Sequence, residues 1–360
     1  MIKLKDLKGE KPSVVKADVL ACLKCEPSLP AFIWGPPGVG KSAIVAQIAR
    51  ELTLELVDLR MYLLNPVDLR GVPVADLKEK VAEWLTPKFM PKSGKGLLFL
   101  DELNAAPQAV QAAAYQLIYD RRCGDYILPD GWSIFAAGNR AEDRALTFEM
   151  PSALRRRLVH LELKPDIDEF CGWAMATKQS PEVVGFIRWR GEDLLFQFDP
   201  KLHTRSFPCP ATWEYCSRLL NSGLKVKDSN AHLFAGAVGE AAATEFVAFI
   251  QVFGELPNAE EILWEGKTKI PAPKKDAPDR LYAFTAALAS AASRAPEDKK
   301  MDASKRLLKY VTEQMPPEYA VKTVKDFTQT PTYQKLKKAL AATAEAKVFT
   351  DKFGPLIQEA

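Results

Sequence analysis

A chain of 360 residues has room for two or three domains that each bury a core of their own. Hydrophobic residues at 47% and charged residues at 26% are an ordinary globular balance, which excludes a disordered or fibrous chain. Lys plus Arg (49) against Asp plus Glu (46) leave a net charge of +3, too small to bind nucleic acid by bulk charge alone.

The start, Met1-Ile2-Lys3-Leu4-Lys5, lacks the apolar core of a signal peptide, and no run reaches the ~18–20 apolar residues of a membrane span, so a cytoplasmic location is expected. Residues 13–26 read as an amphipathic helix ended by Pro27 and Pro30. Its Cys22 and Cys25 form a C-x-x-C pair with no second pair or nearby His, and they read as packing residues. A short apolar strand, Ala31-Phe32-Ile33-Trp34, leads through a Gly/Pro loop into a helix from Ser42 to Leu52, and a strand near Leu54 to Leu59 follows. The segments 71–74 and 81–85 flank a polar stretch and read as an inserted hairpin. Leu97 to Leu100 is a continuous apolar run, as in a strand buried on both faces. Gln108 to Arg121 has helical periodicity, and Trp132 to Ala137 and Leu158 to Leu163 read as further strands.

Strands alternating with helices predict a parallel α/β sheet over residues 1–164. After Pro165 helices dominate, at 166–178, 181–190, 211–221 and 230–254, and an all-helical domain is expected over 165–256. Residues 257–279, rich in proline and lysine, read as a linker or strap. Helices resume at Arg280, so 257–360 is expected to be a linker and helical C-terminal extension whose apolar stripes are core.

Gly35-Pro36-Pro37-Gly38-Val39-Gly40-Lys41-Ser42 fits the phosphate-loop pattern G-x-x-x-x-G-K-[ST], with a strand before it and a helix after it. Glycines let the backbone curl so that successive N–H groups face a phosphate at the positive end of a helix. Lys41 neutralises β/γ-phosphate charge and the Ser42 hydroxyl is a magnesium ligand, so ATP and Mg²⁺ are the expected cofactors. Sixty residues on, Leu97-Leu98-Phe99-Leu100 runs into Asp101 and Glu102. At a strand's carboxyl end Asp101 can hold magnesium, and Glu102 can act as general base on the attacking water.

With these motifs the chain resembles the AAA+ ATPases. Phe135-Ala136-Ala137-Gly138-Asn139-Arg140 is similar to the family's sensor-1 strand, which implies that Asn139 positions the lytic water. Met150 to Leu158, with Pro151, Ala153, Leu154 and Arg155-Arg156-Arg157, resembles the family element whose arginine reaches a neighbouring subunit's nucleotide. By register that finger is Arg157, with Arg156 next. Within the family the resemblance is closest to the MoxR branch. It is carried by Asp68-Leu69-Arg70-Gly71-Val72-Pro73, by Asp101-Glu102-Leu103-Asn104-Ala105-Ala106-Pro107 and by Gln111, and it covers roughly residues 12–250. One departure stands out: where the family carries a sensor-2 arginine after a proline, Pro210 is followed by Ala211, so either Arg205 or Arg218 takes over or the γ-phosphate has one contact fewer.

The resemblance implies an AAA+ core with an all-helical lid, a homo-oligomeric ring, most often a hexamer, and a chaperone-like remodelling role. It also implies a partner carrying a von Willebrand factor A-type domain and a protein client. Trp84 and the insert of mixed charge (Asp76, Lys78, Glu79, Lys80, Glu83) then face the pore or partner, or else Trp84 packs the hairpin on the sheet. Competing readings are a nucleic-acid-stimulated motor or loader, which the charge disfavours, and an ATP-gated scaffold with little turnover. A small-molecule P-loop kinase has no need of a trans-acting arginine cluster.

Overall fold

The computed structural model describes residues 1–78, 80–143, 148–201 and 204–359; Glu79, expected in the insert, lies outside them. The chain forms two compact units, one built mainly on Asp6–Pro165 and the other on Ile2–Lys5, Asp166–Phe198 and the residues from Thr204 onward.

The first unit opens with helix α1 (Pro12–Lys24), which starts on a proline whose missing N–H costs nothing at that position. It buries Val15, Val19 and Cys22 on one stripe, while Cys25 just beyond it is exposed. Strand β1 (Ala31–Trp34) feeds the loop that opens α2 (Lys41–Glu51), whose Ile44, Val45, Ile48 and Ala49 face inward. Strand β2 (Glu55–Arg60) leads through α3 (Pro66–Arg70) to the hairpin β3 (Val72–Asp76) and β4 (Val81–Leu85). Then come β5 (Gly96–Asp101), α4 (Gln108–Asp120), β6 (Trp132–Gly138), the single turn α5 (Ser152–Arg155) and β7 (Val159–Glu162).

Five of these strands form one sheet in the order β7-β1-β6-β5-β2, with every pairing parallel. The expected parallel α/β core is present, and it explains the unbroken apolar run of β5: all six of its residues are buried. Register sets the site. Trp34 pairs with Gly138 on one side and Glu162 on the other, while Asp101 pairs with Arg60. The carboxyl ends of β1, β6, β5 and β2 therefore lie side by side, where open parallel sheets take their ligands.

The second unit is largely helical, as expected. One continuous core joins α7 (Pro181–Leu194), α8 (Pro210–Asn221), α9 (Ala231–Val238) and α10 (Glu240–Gly254) to α12 (Pro278–Arg294), α13 (Lys300–Gln314) and α14 (Pro317–Thr328). At its centre Phe186 meets Trp213, Phe246 and Phe249 with ring centroids 5.1–5.4 Å apart. The stretch read as one helix over 230–254 breaks at Gly239. The strap of 257–279 contains a further helix, α11 (Ala259–Trp264), because Asn258 caps it through the Glu260 and Glu261 amides and Ile262 and Leu263 are buried. Residues beyond 257 thus share their core with residues 166–256.

A buried ion network crosses this unit. Arg188 on α7 pairs with Asp326 on α14 and with Asp168 of α6 (Ile167–Ala176), and Lys325 reaches Asp168 at 3.1 Å. No helix among the described residues is long and apolar enough to cross a membrane.

Candidate functional site

The loop after β1 depends on glycine where the chain must turn back. Gly40 has φ +99°, a left-handed conformation that costs an L side chain strain, and it caps α2. Lys41, the first residue of that helix, is only 9% exposed. Its Nζ donates to the Gly35 carbonyl at 2.7 Å, the Pro36 carbonyl at 3.0 Å and Asn139 Oδ1 at 2.8 Å. All three ammonium protons are placed, and the lysine links the end of β1 to the end of β6.

Burial pushes the Lys41 pKa down to about 8, against the opposing charges of Asp101, Asp143 and Glu102. Phosphate oxygens beside the amine favour its charged form, so nucleotide binding is expected to raise this pKa again. Between the two values binding takes up a proton. Nucleotide affinity should therefore fall as pH rises above about 8, with proton uptake visible near pH 9 when titration calorimetry is run in buffers of different ionisation enthalpy. Uptake that is unchanged between pH 7 and 9 would contradict this assignment.

Beside the lysine, Ser42 Oγ donates to Asp101 Oδ2 at 2.7 Å. Asp101 is 2% exposed, and Arg60, at the end of the neighbouring strand, donates to the same Oδ2 at 2.6 Å. Two hard oxygens in contact suit magnesium, which takes one or two protein ligands and completes its shell with phosphate and water. Arg60 neutralises a carboxylate that would otherwise be a lone buried charge.

Glu102 has φ +56°, unusual for a residue with a side chain, and its amide N–H donates to Asp101 Oδ1 at 3.0 Å. The turn ends β5 abruptly and leaves Glu102 half-buried beside Asp101. Asn139 is held from behind: Asn104 Nδ2 donates to its carbonyl at 2.7 Å. Asp143, buried, accepts from the Arg140 amide at 3.1 Å and from its guanidinium at 2.8 Å, fixing the chain just past Asn139.

Lys41, Ser42, Asp101, Glu102 and Asn139 are thus brought together. Arg157 is turned elsewhere: its guanidinium lies 3.4 Å from the Tyr119 ring centroid, with Tyr115 at 4.8 Å. Arg156 is exposed. Ala211 lies in the first turn of α8, Arg205 is exposed, and Arg218 pairs with Glu214 at 2.6 Å; all three belong to the helical unit. Motif reading missed Arg60, Asp143 and the bracing role of Asn104. Only Asn104 carried a local signal, as part of the Asp101–Pro107 stretch.

Residues 30–158 match the family model of the AAA domain, dynein-related subfamily. The chain carries an AAA+ ATPase domain of the dynein-related type. No curated protein matches the sequence. Among solved structures the chain is similar to a RuvB variant from Thermotoga maritima, at 15% identity over 77% of this chain and 82% of that one, with a TM-score of 0.38. It is also similar to NtrX from Brucella abortus in complex with ADP, at 14% identity over 98% of this chain and 70% of that one, with a TM-score of 0.33. The expected AAA+ membership is borne out by the family match.

Proposed function

We propose that the chain is a MoxR-like, magnesium-dependent ATPase that works as a subunit of a homo-oligomeric ring and remodels or activates a partner protein complex in the cytoplasm. The observation that carries this reading is the meeting of Lys41, Ser42, Asp101, Glu102 and Asn139 at adjacent strand ends of an AAA domain. Gly35 to Gly40 wrap the phosphates, and Lys41 holds the β/γ oxygens. Ser42 and Asp101 bind Mg²⁺, Glu102 takes the proton of the attacking water, and Asn139 orients that water.

In this reading a neighbour's arginine completes the site. Arg157 and Arg156 were the candidates by register; the stacking of Arg157 on Tyr119 of its own chain favours Arg156 as the one that projects, with Arg157 as its brace. The hairpin is the proposed contact with the pore, the client or a von Willebrand factor A-type partner. Val72, Val74, Val81 and Leu85 are exposed on it, and Trp84, opposite Pro73, remains 36% exposed. Exposed apolar side chains in one small element suit a protein surface more than a nucleic acid.

The test is ATP turnover measured against protein concentration, with the mass of the assembly followed in parallel. Specific activity should climb as the ring forms. Arg156→Ala should lower turnover by about 10³-fold or more at unchanged nucleotide affinity. A concentration-independent monomer that ignores both Arg156→Ala and Arg157→Ala would remove the trans-arginine and the ring together. Loss with Arg157→Ala alone would return the finger to that residue.

A further inference from the structure

We infer that His160 is a positioning residue that ties the arginine element to the phosphate loop of the same subunit, an inference that rests on the trans-arginine reading above. His160 sits on β7 opposite Phe32 of β1. The Trp34 indole Nε1–H donates to His160 Nδ1 at 2.9 Å, and the two rings stack with centroids 5.9 Å apart and planes 29° from parallel. Trp34 also leans on Phe32, at 4.3 Å between centroids.

An indole nitrogen can only donate, so Nδ1 must be an acceptor and the imidazole proton sits on Nε2. That nitrogen lies 2.8 Å from the Arg155 carbonyl and therefore donates to it. The tautomer follows from the partners, and both ring nitrogens are used.

The two ends of this bridge carry its meaning. Trp34 is the residue before Gly35, the first residue of the phosphate loop. Arg155 is the last residue of α5, a helix of four residues, and its carbonyl belongs to the peptide that begins Arg156. The Arg156 and Arg157 amides donate back to Ser152 and Leu154, and the Arg155 carbonyl accepts from the Leu158 amide at 3.3 Å. The imidazole is a second, shorter donor to that carbonyl, and it ties the exit of the turn to β7. An indole and an imidazole thus connect the loop that holds a subunit's own nucleotide to the arginine that the subunit offers its neighbour. His160 touches neither nucleotide; it sets the place from which Arg156 projects.

The test compares His160→Phe with His160→Gln in assembled rings. Phenylalanine keeps a ring for stacking and loses both hydrogen bonds. Glutamine restores an acceptor for Trp34 and a donor for the Arg155 carbonyl. His160→Phe is expected to lower kcat roughly ten-fold, as two modest hydrogen bonds would, with KM and the affinity for a fluorescent ADP analogue unchanged. His160→Gln should recover most of the loss. Trp34→Phe should lower kcat to a similar extent, and the double variant Trp34→Phe/His160→Phe should be no worse than either single one.

Unchanged kcat in His160→Phe, in rings where Arg156→Ala abolishes turnover, overturns the inference while the site reading stands. A Gln variant as impaired as the Phe variant, or losses that add in the double variant, overturns it as well. Full turnover in both Arg156→Ala and Arg157→Ala removes the site reading itself, and the inference falls with it.

Discussion

Replacing Glu102 by glutamine is expected to lower steady-state ATP turnover by about 10²–10⁴-fold while ATP and magnesium remain bound. The substitution keeps the size of the side chain and its capacity to accept hydrogen bonds but removes its ability to take a proton. In the proposed site nothing that holds nucleotide depends on it: the loop and Lys41 would contact the phosphates, and Ser42 with Asp101, already hydrogen-bonded to each other, would hold the metal. The backbone at 102 is already in the left-handed region and anchored through its own amide to Asp101, so the turn does not rely on the carboxylate. Single-turnover rates should fall with the steady-state rate, and the ATP-bound assembly should persist long enough to be weighed. Turnover above about a tenth of wild type would assign the proton transfer to another group. Weakened binding of similar size would make Glu102 a ligand-holding residue instead.

The other large effect is expected in the helical unit. Asp326 is fully buried, and its partner Arg188 is 7% exposed. Asp326→Ala leaves that guanidinium desolvated with only Asp168, whose side chain is 49% exposed, to answer it. Breaking such a pair from one side costs about 3–5 kcal/mol, which for a unit of this size lowers the melting temperature by roughly 10 °C. Replacing both partners, Arg188→Met with Asp326→Leu, should return most of the stability, because no charge is then left stranded. Circular dichroism melting of these two variants beside the wild type checks this. A single variant that melts with the wild type, or a double variant as weak as the single, would show that the pair is not what joins α7 to α14.

The parts of the site that could be read from the sequence are those packed into short local patterns. Lys41 and Ser42 follow glycines at fixed spacing, Asp101 and Glu102 end an apolar run, and Asn139 ends another, so strand, turn and helix alone place them. The parts that could not be read depend on which strands become neighbours. Arg60 reaches Asp101 only because β2 pairs with β5 in that register, and His160 finds Trp34 only because β7 lies next to β1. Nothing within a few residues of either position announces the partner. Arg157 shows the opposite limit: its motif is local, but the two tyrosines that hold it stand on another helix. In the helical unit the periodicity of α7 and α8 was plain, whereas α11, with six residues among prolines, is too short to show a repeat. That residues 257–359 share a core with the preceding helices depends on contacts between distant stripes, which a stripe read alone does not specify.

The order of the sheet also bears on how the protein is made. Strand β1 is the first of the five to leave a ribosome, yet its neighbours are the last two, β6 and β7. From the synthesis of Trp34 until Gly138 emerges, a delay on the order of ten seconds, the phosphate loop hangs from a strand with both edges open, and the second edge waits for Glu162. Such edges recruit whatever strand is nearest, so nascent-chain chaperones would have most to protect in this interval.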